Sequence, residues 1–371
     1  MEQSEITAII LAAGYSERMG SFKPLLDLGG QPVIARVAAS FVKAGIRDVR
    51  VVVGYCKDLL LPVLEELGVR TIINENYDAG MFSSVLAALK SPGMGGKAFF
   101  LLPADIPLVR PRTIRYLAEN LGHNSGKILK PCFMDRQGHP PLIPAGFIKS
   151  IMNYKGDDGL KGALAQLAGE TLSIAVPDEN ILFDLDSPAD YAELLERWKR
   201  HNMPSVRECE AIMKTIYSTE ERTVRHCAVV ADVAGKITDD LNRSGCTLDR
   251  DLIQAAALLH DMAKGKPQHA NESARRVREL GYPDVACIIE SHMDIGVSAG
   301  DGVSAAGVLY LADKLVKDAT LIPLAERFDG ALARHRHDPV IVRAIETRYK
   351  NACVIRDCVE ARTGRLVLDL S

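Results

Sequence analysis

Two groups of residues in this chain have the types and spacing to do chemistry, and they lie in opposite halves. Near the amino terminus, Leu11-Ala12-Ala13-Gly14-Tyr15-Ser16-Glu17-Arg18-Met19-Gly20, with Lys23 three residues on, follows the short apolar run 6–11. Glycines bracketing a turn after a buried strand leave backbone N–H groups free to form an anion-binding nest, and Arg18 and Lys23 supply counter-charge for a polyphosphate. This is not a P-loop, because Gly20 is followed by Ser21 and Phe22, and no G-x-G-x-x-G is present. Asp105 follows the apolar run 98–102 and lies between Pro103 and Pro107, which hold its carboxylate in place. Mg²⁺ takes one or two carboxylates together with waters and phosphate oxygens. Asp186, with Asp184 two residues earlier, is the natural partner, although Ser187-Pro188 directly after it also reads as a helix start that an acid could cap.

In the second half, 252–265 reads as a helix apolar on nearly every side and therefore buried. His260 and Asp261 at its end would cost several kcal/mol to bury, on the order of magnitude, unless paired or bound to a metal. Successive helical residues diverge by about 100°, so a shared ion needs ligands from other helices. His226 and Asp313, each in its own helix-like segment, are the candidates. Lys264, a turn further on, could stabilise phosphate charge or donate a proton; a last-turn lysine complementing the helix dipole is the simpler alternative.

Positioning these groups requires more than one core. A chain of 371 residues is expected to divide into two domains. From residue 1 to about 200, apolar runs at 6–11, 49–53, 70–73, 98–102 and 173–176 alternate with helical periodicity at 33–44, 57–67, 83–89 and 112–121. That alternation predicts a Rossmann-like, mostly parallel α/β sheet with ligands beyond the carboxyl ends of its strands, where Gly14 and Asp105 fall. After Trp198-Lys199-Arg200-His201-Asn202-Met203-Pro204 the pattern is helical throughout, which places the boundary near 203 and gives domains of 1–203 and 204–371, the second all-α. Hydrophobic content of 47%, charged content of 25% and a net charge of −3 belong to an ordinary soluble protein and argue against a nucleic-acid binder. No apolar run approaches a membrane span, the acidic amino terminus lacks a secretory pattern, and eight scattered cysteines read as reduced thiols, so a cytoplasmic location is expected.

The first half resembles the nucleotidyltransferases that act on the molybdenum cofactor. The residues that carry the resemblance are the loop 11–23, Gly80-Met81-Phe82-Ser83-Ser84, Leu102-Pro103-Ala104-Asp105, Gly138-His139-Pro140 and Asp184-Leu185-Asp186-Ser187-Pro188. The resemblance implies that Leu11, Ala12, Ala13, Gly14, Lys23, Ser83, Ser84 and Asp105 bind nucleotide, that Arg18, Lys23 and Asp105 serve catalysis, and that Asp105 and Asp186 hold Mg²⁺. It also implies an acceptor site at His139, read as an exposed turn, and at Asp157 and Lys161. The pattern would have Arg at 161, and Lys lacks its bidentate fork. Ser83 and Ser84 serve equally well as simple helix caps. Leu-Ala-Ala-Gly rather than Leu-Ala-Gly-Gly looks like the cytidylyl branch, since a Cβ on Ala13 would crowd a purine. The implied reaction transfers CMP from CTP, or a nucleotide from another NTP, to a molybdopterin-type acceptor, with a molybdoenzyme receiving the cofactor as a further partner. Rival acceptors are those of guanylyl or sugar-phosphate transferases.

The order His226, His260-Asp261, Asp313 resembles the HD superfamily of metal-dependent phosphohydrolases over roughly 204–340. It implies one divalent ion, such as Mn²⁺, Fe²⁺, Mg²⁺ or Zn²⁺, on those four residues, with His269 and His292 where dinuclear members place further ligands. The alternative is an HD half that binds nucleotide and regulates without hydrolysis.

Overall fold

The computed structural model describes residues 5–124, 126–297 and 302–367. The chain folds as two compact units, one ending at His201 and the other beginning at Asn202.

The first unit is built on an eight-stranded, mostly parallel mixed sheet. Its elements in chain order are β1 (Ile6–Ala12), α1 (Val33–Ala44), β2 (Asp48–Val53), α2 (Lys57–Glu66), β3 (Arg70–Ile73), α3 (Met81–Lys90), β4 (Ala98–Pro103), α4 (Pro111–Asn120), β5 (Ile128–Phe133), β6 (Arg136–Gln137), β7 (Leu142–Pro144), α5 (Ile148–Asn153), α6 (Gly159–Ala165), β8 (Thr171–Ala175) and α7 (Pro188–Lys199). The strand order is β3-β2-β1-β4-β7-β5-β6, with β8 parallel on β5. Pairing is parallel from β3 through β4, and β7 runs antiparallel to both β4 and β5. Every residue of β1 is buried, as expected for a central parallel strand covered on both faces. Its odd-numbered side chains Ile9 and Leu11 pack with Val85, Leu89 and Ile151 of α3 and α5. α1 ends at Gly45, whose φ of 94° only glycine adopts freely.

The second unit is helical: α8 (Val206–Ala211), α9 (Glu221–Arg243), α10 (Arg250–Leu259), α11 (His269–Glu279), α12 (Pro283–Glu290), α13 (Ala305–Leu315), α14 (Leu324–His335) and α15 (Pro339–Thr363). Between α13 and α14 lies a hairpin of two-residue strands, β9 (Val316–Lys317) and β10 (Thr320–Leu321). The helix expected over 252–265 stops at Leu259, and His260 and Asp261 follow it in turns. No helix of the described residues is long and apolar enough to cross a membrane.

Candidate functional site

In the first unit, β1 and β4 end together. Leu11 lies opposite Pro103, and the Ala104 N–H donates to the Leu11 carbonyl at 2.9 Å, so the loops carrying Ala13 and Asp105 leave the sheet side by side. Leu185 N–H donates to the Asp105 carbonyl at 2.8 Å, which draws the irregular segment 184–186 over the same edge. The expected pair, Asp105 and Asp186, is therefore brought together by a loop. The Lys23 ammonium stands between the two carboxylates, 2.8 Å from Asp186 Oδ1 and 3.6 Å from Asp105 Oδ2, and Arg18 reaches Asp186 Oδ2 at 3.0 Å. Ser16 Oγ accepts from the Lys23 backbone N–H at 3.2 Å and fixes the loop that carries the lysine.

Burial raises the pKa of Asp105, the nearby charges of Asp184 and Asp186 raise it further, and Lys23 opposes them. Asp184 is raised as well, by burial and then by Asp186. Crowded carboxylates that resist full ionisation are hard oxygen donors suited to Mg²⁺. Asp105 lines a cleft of about 390 Å³ together with Ala13, Gly14, Lys23 and Ser84, among others; Asp184 and Asp186 are not among its lining residues.

Other expected residues fall differently. Ser83 and Ser84 lie in the first turn of α3 rather than before it, because Gly80 is the N-cap. Both are tied to the buried Asn74, whose Nδ2 donates to Ser83 Oγ at 2.8 Å and Ser84 Oγ at 3.0 Å; Ser84 lines the cleft. His139 is not in an exposed turn. Its N–H donates to the Ile181 carbonyl at 2.9 Å, and Gly138 presses so close that a Cβ there would sit 2.3 Å from that oxygen. Burial lowers the His139 pKa, and its Nδ1 is buried with no hydrogen-bond partner. Asp157 and Lys161 are exposed at the start of α6 and are not among the residues that line the cleft. Asn74 escaped the sequence reading because an asparagine after a strand looks like any other turn residue.

In the second unit, α9, the turns after α10 and α12, the start of α11, and α13 bring imidazoles and carboxylates to one point. His226 Nε2 lies 3.2 Å from Asp313 Oδ1 and 3.8 Å from Asp261 Oδ2, and His260 Nε2 lies 3.6 Å and 3.7 Å from the same two atoms. On its other oxygen, Asp261 Oδ1 is 3.2 Å from His269 Nε2 and 3.6 Å from His292 Nε2. Three of these histidines spend Nδ1 on a backbone carbonyl: His226 on Asp318 at 2.8 Å, His260 on Ala257 at 2.8 Å, and His292 on Ile289 at 2.7 Å. The last two carbonyls belong to helix C-terminal turns, which leave acceptors unsatisfied. Asp318 sits in the hairpin between β9 and β10 with φ of 58°.

A histidine that donates Nδ1–H to a carbonyl presents a bare Nε2 lone pair, and here those lone pairs face carboxylate oxygens. Nε2 of both His260 and His292 is buried without a partner, an arrangement costing about 1–3 kcal/mol each unless a cation lies between the acceptors. Donation of the second ring nitrogen to a carbonyl is also how metal-ligating histidines are oriented. The residues therefore fit one ion near His226, His260 and Asp261 and another near Asp261, His269 and His292. In their absence a proton serves. Burial opposes it, but Cys227, Asp261 and Asp313 hold the His260 pKa well above its ordinary value. Burial also pushes Asp313 toward its neutral form, yet Lys314, His226 and His260 outweigh that and keep it well below the usual carboxylate range. Lys264 pairs with Asp261 Oδ2 and so belongs to the cluster rather than only to a helix end. The cluster opens on a cavity of about 700 Å³ that Lys264, Lys314, Lys317 and Arg334 also line.

Comparison with known proteins gives the class of each half. The MobA-like NTP transferase domain matches residues 8–171, and the HD domain matches residues 223–319. The chain joins a MobA-like NTP transferase domain to an HD domain. Over 196 residues it is 27% identical to a "Molybdenum cofactor cytidylyltransferase" of Escherichia coli (strain K12), covering 53% of this chain and 98% of that protein. Over 199 residues it is 26% identical to a "Nicotine blue oxidoreductase" of Paenarthrobacter nicotinovorans, covering 51% and 96%. The "Bifunctional protein GlmU" of Neisseria meningitidis is 28% identical over 171 residues, 45% of this chain and only 37% of that protein's length. Among solved structures, a nucleotidyl transferase from Methanothermobacter thermautotroptrophicus is 23% identical, covers 53% of this chain and 98% of its own, and has a TM-score of 0.47.

Proposed function

We propose that the first unit transfers CMP from CTP to a phosphate of a molybdopterin-type acceptor, releasing pyrophosphate, and that the second is a metal-dependent phosphohydrolase. The observation that carries the first part is Lys23 held between Asp105 and Asp186 at the shared end of β1 and β4. The name of the Escherichia coli relative supports the choice of nucleotide and acceptor, while the name of the Paenarthrobacter relative is the reason that choice must be tested.

Asp105 and Asp186 would hold Mg²⁺, which supplies charge for the phosphate oxygens. The loop from Ala13 to Ser16 offers backbone N–H groups to the phosphate chain, and Lys23, already poised over the acids, turns to its oxygens. An oxygen of the acceptor phosphate then attacks the α-phosphorus as the bond to the bridging oxygen breaks, and the electron pair leaves with pyrophosphate. The nucleophile is already an anion, so positioning and charge neutralisation do the catalysis without a general base.

For the second unit, His226, His260, Asp261 and Asp313 would hold one divalent ion, and Asp261 with His269 and His292 a second. A pair of ions is favoured over one because the two oxygens of Asp261 face different histidine pairs. Such ions supply Lewis acidity toward a phosphoester. Lys264, half exposed at the cavity wall, would meet its oxygens.

Purified protein incubated with molybdopterin and each nucleoside triphosphate in turn, with products identified by mass, tests the transferase reading. A cytosine dinucleotide with pyrophosphate is expected; equal rates with GTP and CTP would remove Ala13 as base selector. Full metal occupancy without turnover across a broad phosphoester panel would favour a regulatory HD half.

A further inference from the structure

We infer that Asp78, held in place by Tyr15, reads the exocyclic amino group of the nucleotide base and so selects cytosine over uracil. This rests on the cytidylyltransferase reading of the cleft above.

The placement comes from three sides. Gly54, just after β2, lies against the single turn Tyr77–Ala79; a methyl group there would come within 2.6 Å of Tyr77 Cβ and 3.0 Å of Ala13 Cβ. Glycine at 54 therefore lets Tyr77 and Ala13 share one wall. The Tyr55 N–H donates to the Ala13 carbonyl at 3.2 Å and fixes that wall to β2. From the helix side, Asn74 binds Ser83 and Ser84 and accepts from the Asn76 N–H at 3.0 Å, so the turn bearing Asp78 is anchored to the start of α3. Ala13, Tyr77, Asp78 and Ser84 all line the cleft.

Asp78 is an unexpected residue to find lining a polyphosphate cleft. Lys23 does not neutralise it, being engaged with Asp105 and Asp186. Its carboxylate instead accepts a hydrogen bond from the Tyr15 hydroxyl through Oδ1. The Tyr15 ring rests 4.8 Å from that of Tyr55 and 5.7 Å from that of Tyr77, which steadies the hydroxyl. A carboxylate accepts hydrogen bonds at both oxygens and donates none, so Oδ2 is available to a ligand. Cytosine offers an amino donor at the position where uracil offers a carbonyl acceptor. The same carboxylate thus attracts one base and repels the other. Ala13 would sort bases by size and Asp78 by hydrogen-bond polarity, which makes the two filters independent. Tyr15 acts through Asp78 as a positioning residue.

The test is calorimetric binding of CTP, of UTP and of GTP, each with Mg²⁺, to the full chain. Wild type should prefer CTP by about tenfold, the worth of one charge-assisted hydrogen bond. Asp78→Asn keeps the shape but offers an amide donor, and should erase or invert that preference. Tyr15→Phe should reduce it in part with the carboxylate still present. Asp78 is exposed, so melting temperatures should not move. A wild-type preference for CTP that survives Asp78→Asn unchanged overturns the inference and leaves the cytidylyl reading standing. Wild type that binds GTP in place of CTP, or binds neither pyrimidine, overturns both.

Discussion

In the HD unit the His260 side chain is fully buried, and those of Asp261, His292 and Asp313 are at most 7% exposed; in the transferase unit the Asp105 and Asp186 side chains are 31% and 35% exposed and that of Arg18 is 75% exposed. The first arrangement converges in the fold itself, with three imidazoles oriented by backbone carbonyls. The second is closed by loops and by a lysine standing where cation charge is wanted. A metal held by a buried set of converging acceptors would be part of the fold, whereas one held by a half-open carboxylate pair would enter with the nucleotide. On the proposed reading, binding chemistry and folding energy are coupled in one unit and separate in the other.

The largest effect that would break this contrast is in the HD cluster. His260→Ala or Asp313→Ala should lower metal affinity by about a hundredfold or more and destabilise the second unit by about 3–5 kcal/mol, since each leaves buried partners uncompensated. Elemental analysis and thermal melts check both, and pyrophosphate release by the transferase half should survive. Full metal content in both variants would sink the ligand assignment.

The proton that His260 carries without metal gives a pH signature. Its pKa is raised in the fold, so its contribution to the chelator-treated protein is fully present below the unfolded value and is lost as pH rises through the folded one. Melts in EDTA should therefore weaken for this unit as pH rises. Metal affinity should increase over the same range, because binding displaces the proton.

On the transferase side, Asp105→Ala should cut Mg²⁺-dependent pyrophosphate release by about 10²–10³-fold. Its melt should be unchanged or slightly improved, because burial and the neighbouring acids already disfavour its charge. A drop in stability matching that of the HD variants would erase the contrast.

A smaller effect belongs to His201, which stacks on Trp198 at 5.6 Å. Burial, then the charges of Arg110 and Lys43, push its pKa down to about 3. With the folded value depressed, the unfolded chain binds the extra proton, so the first unit loses stability as pH falls below about 6.5, by roughly 2 kcal/mol at pH 5. His201→Gln should flatten that limb of a pH-resolved melt. The smallest effect is that of Ala13→Gly, which should bring the relative rates with GTP and CTP several-fold closer without touching either metal.

How much of this was legible in the sequence depends on the range of the interactions. The strands β1 to β4 and the helices between them follow from local apolar periodicity, and the two loops at their carboxyl ends follow from glycine and proline placement. β5 and β7 did not show, because β5 carries Pro131 and Lys130 inside it and β7 is only three residues long, and pairing with β8 and β4 makes strands of them. His139 read as exposed because nothing nearby in sequence announces Ile181, which covers it. In the HD half the order His226, His260-Asp261, Asp313 was enough to nominate ligands, since residue type and order are local facts. That Asp261 turns one oxygen to each histidine pair, that Asp318 in a two-residue hairpin orients His226, and that Tyr15 meets Asp78 across a cleft were settled only by the tertiary structure. The sequence determines which groups can donate, accept or bind a metal. Their direction comes from long-range packing and from backbone carbonyls, which every residue carries and no residue type reveals.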